Sequence, residues 1–405
     1  MVASTQQYRP DNYPTVPIPP LDLTIRRIRA AVPPHCFKRN LLTSLRHLAL
    51  DLLMVSALAL LINYIDRNAP TQALLRTLVT VIAWPTYWWW QGAVMTGVWV
   101  LAHECGHQAF SPYKSVNDAI GLVLHSALFV PYHSWRITHS QHHKHTNHMT
   151  DDQVFVPSNR DHYNSSHGIT VPQDGVRRYK APLMEAIEET PLGDLFGIFQ
   201  MLTFGWWAYL SANVSGQNYG KGANHFNPRA VMFADREYWN IVVSDLGFVS
   251  ALATLFYSVY IFGVSAVLKY YFIPYMLVNG WLVLITYLQH SDPAIPHYAP
   301  KAFTFVRGAL CSVDRDYGIY NILHHHIGDT HVVHHLFSQM PFYHAKEATQ
   351  AVKSVLGEYY YKDTTTIFQA LRRSWAYCKF VDEKDGEIMF YRNYKMEMLA
   401  NEKRR

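Results

Sequence analysis

The chain has 405 residues, of which 49% are hydrophobic and 14% aromatic, and a formal net charge of +5. Basic residues such as Arg26, Arg27 and Arg29 precede the first apolar run, which is typical of a membrane-surface flank and not of a nucleic-acid footprint. The four cysteines are scattered and form no CxxC pair, which argues against a disulfide scaffold and fits a reducing compartment.

The first predicted elements are two membrane helices. Residues 48–65 form an apolar stretch just long enough to span a bilayer, and residues 78–101 form a second one. Together they predict a helical hairpin that follows a partly flexible N-terminal segment, residues 1–47. The second helix leads directly into His103 and His107, so we expect this first histidine pair where the helix leaves the membrane.

The middle of the chain contains a second histidine cluster between two shorter apolar runs. Residues 119–130 are too few to span, and residues 195–210 are interrupted by a glycine, so both are interpreted as interfacial or re-entrant helices. The cluster between them has the form HxxHH and consists of His139, His142 and His143.

A second pair of predicted membrane helices covers residues 241–263 and 270–289 and ends at His290. The polar segment after it carries a third cluster, again HxxHH, with His331, His334 and His335. Residues 361–405 are interpreted as a cytosolic C-terminal segment, and the charged stretch 382–405 is expected to be solvated.

Four crossings place all three clusters on the side of the N-terminus, which the basic flank assigns to the cytosol. The predicted fold class is therefore an all-α integral membrane protein. It has four transmembrane helices in two hairpins, interfacial helices, and a cytosolic helical cap that carries the histidines.

The histidine spacing predicts a metal centre. Residues three or four apart share one face of a helix, so HxxxH presents two imidazoles and HxxHH presents three. The resulting eight imidazoles exceed the needs of one ion, which favours two ions. Cys105 points away from this face and is interpreted as a packing residue, and His344 as an ordinary polar neighbour. A histidine-rich metal transporter is less favoured, because its ligands would lie at mid-membrane depth.

Ordered motifs over residues 40–360 resemble the membrane-bound fatty acid desaturases, within them the Δ12 (oleate, ω6) and ω3 branch. The motifs include the first histidine pair with its flanks, Val130-Pro-Tyr-His-Ser-Trp-Arg, Leu284-Ile-Thr-Tyr-Leu-Gln-His and Asp329-Thr-His-Val-Val-His-His. A set of ordered motifs is far more specific than any one of them.

The resemblance implies an endoplasmic-reticulum enzyme with a cytosolic site of two iron ions. It implies an acyl-lipid or acyl-CoA substrate, O2, and electrons from cytochrome b5 and its NADH-dependent reductase; no segment for a fused b5 domain is visible. The eight clustered histidines would be the ligands, His290 a ninth, and no catalytic residue is expected beyond the metal centre. The candidates to orient the ligating rings are Glu104, Asp316, His325 and Asp329.

The favoured activity is Δ12 desaturation of an oleoyl to a linoleoyl chain. An ω3 (Δ15) or bifunctional desaturase stays open, because regiochemistry depends on a distance within the folded site. A hydroxylase, epoxygenase, acetylenase or conjugase on the same scaffold also stays open.

Overall fold

The computed structural model describes residues 14–170, 178–179, 190–220 and 222–394. The ends of the predicted N- and C-terminal segments, residues 1–13 and 395–405, lie outside this description. The described part is mostly helical. Its α-helices are α1 (Ile25–Ala31), α2 (Leu41–Arg67), α3 (Ala73–Gly106), α4 (Lys114–Ala127), α5 (Tyr132–Lys144), α6 (Arg160–Ser166), α7 (Pro191–Ala212), α8 (Tyr238–Phe262), α9 (Val264–Val267), α10 (Ile273–His290), α11 (Phe305–Ala309), α12 (Tyr320–Leu323), α13 (His331–Leu336), α14 (Phe342–Leu356) and α15 (Ile367–Tyr377).

The strands are short and form two-stranded sheets. They are β1 (Ile169–Thr170), β2 (Arg178–Tyr179), β3 (Pro296–Tyr298), β4 (Asp314–Arg315), β5 (Lys362–Asp363) and β6 (Ile388–Phe390). The antiparallel pairs are β1 with β2 and β3 with β6, whereas β4 and β5 are parallel. The pairs β3–β6 and β4–β5 join parts of the chain that are distant in sequence.

Helices α2 and α3 form a hairpin near the N-terminus. The Asn40 side chain accepts a hydrogen bond from the Thr43 N–H at 3.1 Å and caps the start of α2. Helix α3 then packs against α2, α4 and α10 and is the central helix of the molecule. Its approach to α10 is close at Gly92, where an added Cβ would lie 2.6 Å from the Leu277 Cβ.

Within the described residues, three helical segments are long and apolar enough to cross a membrane: Leu41–Arg67, Asp235–Phe262 and Val264–His290. In the first two, only 11% of the most apolar stretch is buried inside the protein, so their apolar side chains face outward. Such surfaces are stable only in lipid or against a partner, which indicates membrane association. The last two segments meet at Gly263, whose φ of +81° allows the sharp turn between them.

The three segments correspond to the predicted spans 48–65, 241–263 and 270–289. The fourth predicted span, residues 78–101, belongs to α3, which is not among them. Its middle contains Trp88, Trp89 and Trp90 after Pro85, and these residues lower its hydropathy although the helix continues through them. The two shorter predicted runs, 119–130 and 195–210, fall largely in α4 and α7.

The region after α10 packs around one buried arginine. Arg315 is almost fully buried, and its Nη2 donates to Asp292 Oδ2 at 2.7 Å while Nη1 donates to Asp363. This network ties strand β5 to the end of α10. The chain beyond residue 382 differs from the expected solvated tail, because Met389 and Phe390 are buried where β6 pairs with β3. The apolar residues at 388–391 explain the difference.

Candidate metal centre

The first two histidines lie at the C-terminal end of α3, His103 in its last turn and His107 as its C-cap. His103 and His107 are four residues apart, so both rings leave the same face, and their Nε2 atoms are 3.2 Å apart. The turn packs against α5, because an added Cβ at Gly106 would touch Trp135 at 3.0 Å. This close approach brings the end of α3 to the second histidine cluster.

Helix α5 carries the second cluster. Trp135 stacks on His139 with ring centroids 4.6 Å apart, which fixes the orientation of that imidazole. The His139 Nε2 is 3.0 Å from Nε2 of His103 and 3.2 Å from Nε2 of His143. The first and second clusters therefore converge on one point.

Helix α13 presents the third cluster. Nε2 of His331 lies 3.0 Å from Nε2 of His335, one turn further along the helix. The His334 ring points the other way, with its centroid 4.7 Å from that of His107 and 4.6 Å from that of His143. One short helix therefore serves two groups of imidazoles.

His290, the last residue of α10, joins the second group. Its Nε2 lies 3.3 Å from Nε2 of His142 and 3.1 Å from Nε2 of His331. The side chain is 2% exposed. Its position is set by the packing of α10 on α3 and not by any local histidine spacing.

The nine predicted ligands thus form two adjacent clusters. Cluster A consists of His103, His107, His139, His143 and His334. Cluster B consists of His142, His290 and His335, and His331 contacts the last two. The clusters meet where the rings of His143 and His335 stack with centroids 4.0 Å apart. Cys105 belongs to neither cluster and packs in an apolar group with Phe110.

The electrostatics of the clusters favour a cation. Burial and then the neighbouring imidazoles hold the pKa of His139, His143 and His335 well below the ordinary value, and burial lowers the pKa of His334 to about 3. These rings are therefore neutral at pH 7, the form that binds metals. The His139 Nε2 faces two other Nε2 atoms at 3.0 and 3.2 Å, but an imidazole nitrogen carries either one proton or one lone pair, so hydrogen bonds cannot satisfy both contacts.

The donor set fits metal ions. With metal–nitrogen bonds of about 2.1 Å, neighbouring ligand atoms of one ion lie about 3 Å apart, close to the observed spacings. All nine donors are imidazole nitrogens, which suit iron, zinc, copper and nickel alike. The clusters could therefore hold a metal.

Two polar side chains that the sequence analysis missed orient the rings of cluster B. The His142 Nδ1 lies 2.8 Å from Oδ1 of Asp152, a fully buried carboxylate. The His335 Nδ1 lies 3.0 Å from the Thr146 hydroxyl, which itself donates to the His142 carbonyl. Such partners leave Nε2 as the ligand atom. The only sequence signal for Asp152 is a carboxylate ten residues after His142 in an otherwise polar loop.

The predicted orienting residues occupy different surroundings. Glu104 Oε1 lies 3.8 Å from the His103 Nδ1, while its Oε2 accepts a hydrogen bond from the Phe342 N–H at 3.1 Å. His325 pairs instead with Asp51 of α2, at 2.7 Å between Nε2 and Oδ2. Through this hydrogen bond, Glu104 links the end of α3, which carries the first histidine pair, to α14.

The other two predicted residues form hydrogen bonds to groups other than the clustered histidines. Asp329 contacts the His326 Nδ1 at 3.0 Å, and Asp316 is exposed and accepts from the Gly318 N–H at 2.8 Å. A carboxylate that was not predicted, Asp314, contacts the third cluster: its Oδ1 accepts from the Val332 N–H at 2.8 Å. Asp314 therefore holds the first turn of α13.

An apolar cavity of about 320 Å³ opens beside the clusters. It is bounded by α3, α5, α7 and α10, and its wall includes His103, His139, His142, His290 and His331. The rest of the wall is largely aromatic and aliphatic, with Trp99, Trp135, Leu282 and Ile285 among its members. Cavities of this size and character bind small apolar ligands.

Comparison with known proteins gives a consistent result. The family model described as "Fatty acid desaturase" matches residues 82–366, which include all nine histidines. The chain is 47% identical to the "Delta(12) fatty acid desaturase" of Mortierella alpina over 374 residues, covering 92% of this chain and 91% of that protein. It is 42% identical to the "Omega-6 fatty acid desaturase, endoplasmic reticulum isozyme 1" of Glycine max, with coverages of 91% and 90%. It is also 38% identical to the "Acyl-lipid (9+3)-(E)-desaturase" of Dimorphotheca sinuata, with 97% of each chain covered.

Proposed function

The chain belongs to the fatty acid desaturase family, and on this premise we propose that it is a Δ12 desaturase that converts an oleoyl to a linoleoyl chain. Family membership makes it an oxidoreductase that acts on fatty acids. The observation that carries the proposal is the position of two buried histidine clusters at the wall of one apolar cavity. A linear acyl chain in that cavity would bring a methylene pair to the clusters.

We assign one iron ion to cluster A and a second to cluster B with His331. When bound, iron supplies the redox chemistry: O2 takes two hydrogens from the chain and two electrons and two protons from outside, which gives two waters and a C=C bond. Among the side chains, Asp152 accepts the His142 Nδ1–H and keeps Nε2 free as a ligand. Trp135 holds the His139 ring by stacking.

The cavity wall provides the substrate site. Aliphatic and aromatic side chains such as Leu282 and Ile285 would contact the acyl chain and exclude water from the clusters. The substrate would be an acyl-lipid or an acyl-CoA. The names of the relatives support the Δ12 position, because the Mortierella alpina protein is named a Δ12 and the Glycine max protein an ω6 desaturase.

We also propose four membrane spans, counting α3, in an endoplasmic-reticulum membrane with both termini and all histidine clusters in the cytosol. The name of the soybean relative supports this compartment. The basic N-terminal flank supports the orientation. Electrons would come from a separate cytochrome b5 and its NADH-dependent reductase, so omission of either from a purified system should stop turnover.

Expression in a host that contains cytochrome b5 and makes only saturated and monounsaturated lipids tests the activity. Mass spectrometry of the acyl chains should show linoleate. Production of α-linolenate from added linoleate would instead assign the ω3 class, and a hydroxylated, epoxidised, acetylenic, conjugated or E-configured product would assign another outcome of the same scaffold. Absence of every such product in that host would overturn the desaturase function.

Alanine at a ligand position gives the matched test of the site. His142→Ala and His335→Ala should each abolish the product while the protein stays in the membrane, because each removes a buried donor of cluster B. His162→Ala is the control, since His162 is exposed on α6. Unchanged linoleate in both ligand variants would contradict the assignment.

A further inference from the structure

A second kind of donor cluster lies outside the histidine clusters, between the N-terminal segment and α14. His35 and Cys36 belong to a 3₁₀ turn, Pro34–Phe37, that packs on α14. His344 and Glu347 are three residues apart on α14, so their side chains share one face of that helix. The four side chains come from chain segments more than three hundred residues apart and meet at one point.

The geometry of this group is that of a small chelate. One donor atom from each of the four residues lies within 4.8 Å of the other three. The His35 Nε2 is 2.9 Å from Glu347 Oε2 and 3.7 Å from the Cys36 Sγ. The ring centroids of His35 and His344 are 5.5 Å apart and nearly perpendicular, so the two rings do not stack.

Burial distinguishes this group from a chance surface ion pair. Cys36 is fully buried and packs with Ile28, Val352 and Leu356, which fixes the position of its sulfur. The side chains of His35 and Glu347 are 52% and 51% exposed, so an ion could enter from solvent. The group therefore has one rigid soft donor, and harder donors at the mouth.

The donor chemistry selects the ion. Cysteine sulfur, histidine nitrogen and a carboxylate oxygen are the ligands of protein-bound zinc, and four of them complete its usual coordination. From this we propose that His35, Cys36, His344 and Glu347 form a Zn²⁺ site separate from clusters A and B. Clusters A and B offer only imidazoles, whereas this site offers a cysteine sulfur, which binds a metal as the thiolate and favours Zn²⁺ over the harder first-row ions.

The position gives the site a structural role. The ion would join the N-terminal segment to α14, whose first residue, Phe342, donates its N–H to Glu104 beside the first histidine pair. A zinc link would thus hold α14 in place in addition to that hydrogen bond. Binding couples to stability because the free ligands of an unfolded chain offer no preformed site.

Metal analysis and Co²⁺ spectroscopy of the iron-loaded full-length protein in detergent test the proposal. Wild type should contain about one zinc per chain in addition to iron, and Co²⁺ substitution should give a thiolate-to-cobalt charge-transfer band. Co²⁺ in clusters A and B gives no such band, because their donors are imidazoles. Cys36→Ser should lose both the zinc and the band, whereas the control Cys378→Ser should keep both.

Because Cys36 is buried, a surface variant guards against a folding artefact. Glu347→Gln should weaken Co²⁺ binding roughly tenfold or more, since loss of even an outer partner of a metal ligand costs that much. Glu358 is also an exposed glutamate but lies outside the group, so Glu358→Gln should bind Co²⁺ like wild type. Absence of zinc and of the thiolate band in wild type, or their retention in Cys36→Ser, would overturn the proposal, as would equal Co²⁺ affinity of the two glutamine variants.

Discussion

Asp152 is the residue that most directly orients a proposed ligand, His142. Its carboxylate accepts from the His142 Nδ1 and, through the same Oδ1, from the Val154 N–H at 2.9 Å. Asp152→Asn keeps the shape but removes the charge that favours the Nδ1–H tautomer. We expect linoleate formation and iron affinity to fall about 10- to 100-fold, measured by acyl-chain mass spectrometry and metal analysis.

The neighbouring carboxylate provides the control for this substitution. Asp151 is 56% exposed and lies 3.7 Å from His148, away from both clusters. Asp151→Asn should therefore leave iron content and linoleate unchanged. Equal losses in the two variants, or none in Asp152→Asn, would remove the role given to Asp152.

At the same residue scale, sequence spacing predicted the clustered ligands because their geometry is local to one helix. His103 and His107 need only the helical repeat to face one direction. Asp152 and Asp314 could not be found that way, because neither lies on the helix of its partner and helical spacing therefore does not relate them. His290 was identified only through family resemblance, because the fold brings it to cluster B by the packing of α10.

At the scale of an element, α13 is only six residues long and depends on outside contacts. Asp314 accepts from the Val332 N–H in its first turn and also receives the Tyr360 hydroxyl. Asp314→Ala leaves that buried N–H without a partner, which costs about 1–3 kcal/mol and frees the helix start. We expect a lower unfolding temperature of the detergent-solubilised protein. We also expect linoleate formation to fall more than tenfold, because a free-energy loss of about 1.4 kcal/mol corresponds to a factor of ten.

Asp314→Asn is the matched variant, because its amide oxygen still accepts from Val332. It should retain most activity and stability. If Asn and Ala at this position behave alike, the hydrogen bond to α13 is not what presents the third cluster.

The elements also show where sequence reasoning reaches its limit. Apolar length predicted helices over residues 48–65 and 241–263, because hydropathy reports burial in lipid directly. It did not predict strand β6, since a pair of three-residue strands depends on β3, about 90 residues earlier in the chain. The aromatic residues in the middle of α3 likewise lower its hydropathy. Composition alone therefore does not support the predicted span over residues 78–101, although the helix continues through it.

At the scale of the whole molecule, the proposed topology makes a prediction about loops. The α2–α3 connection and the turn at Gly263 should face the lumen, and Asn164 on α6 should face the cytosol. A long loop with a glycosylation sequon inserted at either turn should be glycosylated in microsomes, whereas the natural Asn164-Ser-Ser sequon should stay unmodified. Glycosylation of Asn164 in the native chain would contradict this topology.

The convergence of four distant chain segments also predicts how iron is distributed. Clusters A and B share no donor, although the His143 and His335 rings stack at 4.0 Å, so each can lose its ion separately. Purified wild type should contain about two irons per chain. His107→Ala in cluster A and His290→Ala in cluster B should each retain about one iron and make no linoleate, because the proposed reaction needs both ions. Metal analysis beside acyl-chain analysis measures this, and a wild-type content of about one iron would contradict the two-ion assignment.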